Sequence, residues 1–100
     1  INNGEYWLIH AGMEYFSESR RLEEYSVEEL VWKRTDFDIT YFINITVVSG
    51  HTPTQNILGN SRPGYIFKKN NYIAIDCGAG KNSGRLAAIC LDTGEEYYAE

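Results

Sequence analysis

Val47-Val-Ser-Gly-His-Thr-Pro-Thr54 is the stretch from which the rest of the chain is best read. Its β-branched residues stop at Gly50, His51 follows where a buried strand hands over to a loop, and Pro53 closes off further pairing. The apolar run reaches back to Asn44, so a short buried strand is predicted over Asn44 to Ser49. Tyr6-Trp-Leu-Ile-His-Ala-Gly12 repeats the form, bounded by Asn2-Asn-Gly4 and Ala11-Gly12, and predicts a strand over Glu5 to His10. Each run delivers a histidine, His10 or His51, just past its apolar part and beside small residues.

The connection from Ala11 to Ile43 is too long for a hairpin. Within it, Ser26-Val-Glu-Glu29 is a capping box followed by Leu30, Val31 and Trp32, which predicts a short helix from Val27 to about Arg34. A strand, a helix and a second strand make a crossover, so the two histidine-bearing strands are expected to be parallel neighbours. Their carboxyl ends then lie on one edge, where ligands of open sheets collect.

Further along, Thr54 to Gly64 is rich in loop formers. Tyr65 to Lys68 and Tyr72 to Asp76 flank Lys69-Asn-Asn71, a hairpin signal whose asparagines accept positive φ. After the Gly78 to Gly84 loop, Leu86 to Leu91 and Glu95 to Tyr98 flank Asp92-Thr-Gly94 as a second hairpin. Met13 to Tyr25 reads as polar and irregular. The expected class is α+β, dominated by sheet, with one short helix and two β-hairpins.

With 100 residues the chain amounts to one domain or part of one, and 14 acidic against 9 basic residues give a net charge of −5. No block of like charge suggests a nucleic-acid surface, and no apolar run is long enough for a membrane helix. Cys77 and Cys90 are the only cysteines and lack zinc-site spacing, so buried free thiols are the first reading and a disulfide the second, and a reducing, cytoplasmic setting is expected. The chain begins at Ile1 with its single methionine at Met13, which suggests a processed chain or, in preference, an excised part of a longer protein.

Neutral imidazole is a common ligand for zinc, manganese and iron, and such a centre wants further oxygen or nitrogen donors. A single histidine at a strand end is more often a hydrogen-bonded structural residue; for the pair, both readings stay open. Arg34 alone reads as a surface cation at a helix end.

Four motifs in order, Ile9-His-Ala-Gly12, Leu30-Val-Trp-Lys-Arg34, Gly50-His-Thr-Pro53 and Ile75-Asp-Cys-Gly-Ala79 with Leu86 to Glu95 after it, resemble the second half of a bacterial-type calcineurin-like serine/threonine metallophosphatase. The resemblance implies the C-terminal part of a four-layer α/β/β/α sandwich spanning residues 1–100, with His10 and His51 on one metal of a two-metal centre and Arg34 on phosphate oxygens. It implies two divalent ions (manganese, iron or zinc), bound weakly if at all by this chain, and a hydroxide nucleophile between them. Phosphoserine or phosphothreonine proteins or small phosphoesters would be substrates; a related enzyme class acting on dinucleoside polyphosphates shares these motifs. The family's Gly-Asp-x-His, Gly-Asp-x-x-Asp-Arg-Gly and Gly-Asn-His-Glu motifs do not occur here, so no residue of this chain is assigned as a catalytic acid or base. As part of a larger sandwich the chain is expected to leave an apolar surface uncovered near Trp7, Ile9, Val47 and Ile75 and to associate with itself; the rival expectation is a non-catalytic sheet module whose histidines are structural and whose exposed edge pairs with itself or a partner.

Overall fold

The computed structural model describes residues 5–81 and 84–99. It is an α+β fold, dominated by sheet, with one α-helix and two sheets. Strand β1 (Glu5–Ile9) pairs in parallel with β2 (Ile45–Ser49), with Trp7 opposite Val47 and Ile9 opposite Ser49. The crossover read from the sequence is therefore present.

Strand β4 (Tyr72–Ala74) also runs parallel to β2, with Val47 opposite Tyr72, and β3 (Phe67–Lys69) pairs antiparallel to β4, for a spatial order β1-β2-β4-β3. The β3–β4 turn is Asn70-Asn71, both at positive φ (53° and 60°), as a two-residue hairpin of right-handed twist requires. A separate two-stranded sheet, β5 (Leu86–Ile89) and β6 (Glu96–Ala99), forms the second hairpin. Part of the Gly78 to Gly84 loop lies outside the described residues.

Alternation along the strands gives the main sheet two buried faces. Trp7, Val47 and Tyr72 pack on one side with Met13, Tyr25, Tyr41 and Phe42. Val48 and Ile73 pack on the other with Ile66 and Cys77, against Ala87, Ile89 and Tyr98 of the hairpin. Trp7 and Val47 are thus core residues, not part of an uncovered surface; Val47 is 1% exposed. Burying such a side chain stabilises by about 1.5 to 3 kcal/mol, so a chain that covers both sheet faces itself has little reason to leave these bare. Ile9 and Ile75 are partly buried, each against one of the two cores.

Helix α1 spans Val27–Val31, shorter than the sequence suggests. Its start is the capping box: Ser26 Oγ accepts from the Glu29 amide at 3.3 Å, and the Ser26 amide donates to Glu29 at 2.7 Å. Its end is set by tertiary bonds, because the Glu29 and Leu30 carbonyls accept from the amides of Glu14 and Ala11 at 2.9 and 2.8 Å. Those acceptors would otherwise continue the helix to Lys33 and Arg34. Glu29 does not simply face water. Its carboxylate takes a two-pronged pair from Arg20 at 2.8 and 3.0 Å, and this pair, with the Ser26 amide, pulls its pKa down to about 2.

Cys77 is buried, Cys90 is partly exposed, and neither is bridged. Among the described residues no helix is long and apolar enough to cross a membrane.

Candidate metal centre at the carboxyl edge of the sheet

His10 follows β1 and His51 follows β2, so the parallel register carries both to the same edge. The ladder runs one step further, the Gly50 amide donating to the His10 carbonyl at 3.0 Å. The two rings lie with centroids 5.1 Å apart at an interplanar angle of 55°. Two imidazoles on one ion, with nitrogens about 2.0 to 2.1 Å from it, put ring centres roughly 4.5 to 5.5 Å apart. The pair fits half of a four-ligand shell. Among the described residues no group of three or more His, Cys, Asp or Glu side chains comes together to complete it.

The turn that delivers His51 is strained. Its φ is +69°, and the Thr52 amide donates back to the Gly50 carbonyl at 2.8 Å. A three-residue turn closed this way with a left-handed centre is the rare form of γ-turn, and a residue carrying a Cβ adopts it at a cost of order 1 to 3 kcal/mol. Gly50 itself is not demanded by space, since a Cβ there would meet the Asp76 Cβ at an ordinary 3.7 Å. Gly12 is demanded: a Cβ at that position would lie 2.5 Å from the Lys33 carbonyl oxygen. The segment after His10 is therefore pressed against the segment that follows α1.

That second segment bears Trp32 and Arg34. Because α1 stops at Val31, Arg34 sits in the loop beyond it and not at a helix end. The Trp32 ring stands edge-on to His51 with centroids 6.0 Å apart, and Arg34 Nη1 donates to Thr52 Oγ1 at 3.3 Å. A guanidinium beside the two imidazoles can meet phosphate oxygens with its planar fork. An open cleft of about 240 Å³ adjoins Arg34 and Thr52, walled by Asp36, Phe37 and Ile57. A larger cavity, about 740 Å³, opens at the amino edge of the sheet between Glu5, Arg21 and Ile43 and holds none of the candidate ligands. Neither histidine lines either cavity, so size does not mark the site; the approach of His10 to His51, with Arg34 tied to the neighbouring Thr52, does.

A hydroxyl cluster that joins the segments bearing these residues is not evident from sequence. Tyr72 is 2% exposed, and its hydroxyl lies 2.6 Å from Ser49 Oγ, 2.6 Å from Thr35 Oγ1 and 3.1 Å from the Ala11 carbonyl. Strand alternation indicates that Tyr72 is buried but cannot show what its hydroxyl reaches, because the partners come from three separate segments. No protein-family model, curated protein or solved structure matches this chain, so the family resemblance rests on the residues themselves.

Proposed function

We propose that this chain supplies two imidazole ligands and a phosphate-binding arginine to a two-metal centre that hydrolyses phosphomonoesters on serine or threonine. Within that proposal the chain is the C-terminal part of a metallophosphatase sandwich, and the remaining ligands come from elsewhere in the enzyme. The observation that carries the reading is the approach of His10 and His51, 5.1 Å between ring centres at the shared carboxyl edge of two parallel strands.

Each residue then has a task. His10 and His51 hold one ion as neutral imidazoles. When bound, divalent ions supply the positive charge that polarises phosphoryl oxygens and makes water acidic enough to attack at neutral pH. Arg34, held to Thr52, turns toward the phosphate and adds charge-assisted hydrogen bonds there. Dinucleoside polyphosphates present the same phosphoryl oxygens to these groups and stay within the reading.

The test is to titrate Zn²⁺ and Mn²⁺ into the chain and into His10→Ala, His51→Ala and Arg34→Ala. Weak binding that needs both histidines, with inorganic phosphate retained by the metal-loaded chain only when Arg34 is present, is the expected result. Metal affinity unchanged in either histidine variant would overturn the proposal.

A second reading has its own observation. The outward face of the β5–β6 hairpin is Leu86, Ala88, Tyr97 and Ala99, with Leu86 64% and Tyr97 51% exposed, and β1 ends the four-stranded order with Leu8 65% exposed. An apolar face and an open edge of this kind favour a sheet module that associates with itself. Light scattering over a dilution series reads the association, and the Zn²⁺ titration of the histidine variants separates the two readings.

A further inference from the structure

The polar cluster around Tyr72 joins the segments of the candidate centre, and each of its partners belongs to a different one of them. Ala11 follows His10 in the chain. Ser49 lies two residues before His51, and Thr35 follows Arg34. Because Tyr72 is opposite Val47 in the parallel register, its side chain lies on the same sheet face as Ser49 and reaches along that face toward the carboxyl edge.

We infer that Tyr72 is a positioning residue, whose single hydroxyl clamps together the three segments that present His10, His51 and Arg34. The inference rests on the reading of those three residues given above and adds to it what fixes their mutual placement.

The hydrogen-bond inventory supports a closed cluster. Three hydroxyl protons, from Ser49, Tyr72 and Thr35, are available, and the Ala11 carbonyl is the terminal acceptor. An arrangement in which Ser49 and Thr35 both donate to the Tyr72 oxygen and Tyr72 donates to the Ala11 carbonyl uses every proton, over contacts of 2.6, 2.6 and 3.1 Å. Buried networks satisfied in this way favour one arrangement strongly, since any displacement leaves a donor without a partner at low dielectric. Burial holds the Tyr72 phenol above its ordinary pKa, with the bonds to Ser49 and Thr35 pulling the other way, so the hydroxyl keeps its proton at neutral pH. Phe37 packs edge-on against the Tyr72 ring at 5.2 Å between centroids, which fixes the ring from the side. The close approach at Gly12 completes the clamp, because the backbone of residues 10–12 has nowhere to retreat.

The experiment compares Tyr72→Phe, Thr35→Val, Thr35→Ser and, as a stability control on the opposite core, Ile73→Val. Two quantities are read in each folded protein: the proton NOE between the His10 and His51 rings without metal, and the affinity for Zn²⁺. Loss of an outer-shell partner typically weakens metal binding by about 10- to 100-fold. Tyr72→Phe and Thr35→Val are expected to lose the ring-to-ring NOE and weaken Zn²⁺ binding in that range. Thr35→Ser, which keeps the hydroxyl, restores both, and Ile73→Val lowers Tm while leaving both unchanged. An intact NOE in folded Tyr72→Phe, or equal losses in Ile73→Val, overturns the inference; should Tyr72→Phe fail to fold, Thr35→Val against Thr35→Ser decides it. The two proposals fail separately. An NOE that depends on Tyr72 in a chain that binds no Zn²⁺ removes the metal reading and leaves the clamp, whereas Zn²⁺ binding through both histidines that ignores Tyr72 does the reverse.

Discussion

Replacing His51 by glycine and, separately, by alanine divides what its backbone costs from what its ring contributes. Both variants lose the imidazole and its edge-on contact with Trp32, so the difference between them isolates the left-handed turn at φ +69°. A Cβ in that region costs about 1 to 2 kcal/mol, and glycine gives back about 0.4 to 1 kcal/mol through the greater freedom of the unfolded chain. His51→Gly should therefore be more stable than His51→Ala by about 1 kcal/mol. For a domain near this length that is a Tm higher by roughly 4 to 8 °C. Thermal unfolding followed by circular dichroism reads the difference, and a Zn²⁺ titration on the same samples should find both variants equally impaired. An alanine variant as stable as the glycine variant would show that position 51 carries no left-handed strain, and the argument for a turn maintained against its own cost would fail.

Gly12→Ala should destabilise by more than 1 kcal/mol and shift the His10 ring resonances, because its Cβ would meet the Lys33 carbonyl oxygen at 2.5 Å and backbone must move; an unchanged Tm and spectrum would refute the close approach. Glu29 has a folded-state pKa lowered from 4.5 to about 2, chiefly by the bond from Arg20 and then by the Ser26 amide, so its contribution is present above pH 4.5 and lost as pH falls toward 2. Acid unfolding of Glu29→Gln should lack that component, and a profile parallel to the parent would count against it. Finally, the chain alone should not turn over p-nitrophenyl phosphate with Mn²⁺, since no assigned residue protonates a leaving group; turnover abolished in His51→Ala would show that two ligands do more than supposed.

The strands, the crossover and the asparagine turn were legible because each depends on local pattern. Short apolar runs bounded by turn residues, a capping box and two residues tolerant of positive φ carry their meaning within a few positions. What escaped local reading is tertiary. Met13 to Tyr25 looks polar and irregular, yet Met13 and Tyr25 are 3% and 7% exposed and Phe16 and Leu22 pack on the same core. Scattered apolar residues in a loop have no period to betray them. Trp7 and Val47 read as candidates for an open surface only while the layers above them were unknown. The same limit applies at the site: His10 and His51 announce themselves by position after a strand, while the Tyr72 hydroxyl acquires meaning only when three distant segments meet it.

Strain and burial then bear on where function lies. Local rules are broken in few places among the described residues, and most breaks have a local reason. Asn70 and Asn71 take positive φ to turn a hairpin, and Tyr15, the other non-glycine residue besides His51 to do so, lies in an exposed loop at 77% exposure. At the carboxyl edge of β1 and β2 the departures accumulate instead: a left-handed histidine, a glycine required by a backbone contact, and a buried tyrosine hydroxyl serving three segments. Each lowers the tolerance of the fold to change, and a chain selected for stability alone would keep glycine or asparagine at position 51. Natural sequences break local rules chiefly where a site must be held, and here the breaks gather where the two imidazoles approach each other and Arg34 bonds the residue after His51. The clamp explains how that cost is sustained, because a satisfied hydroxyl network fixes the segments on either side of the strained turn and leaves it no relaxed alternative.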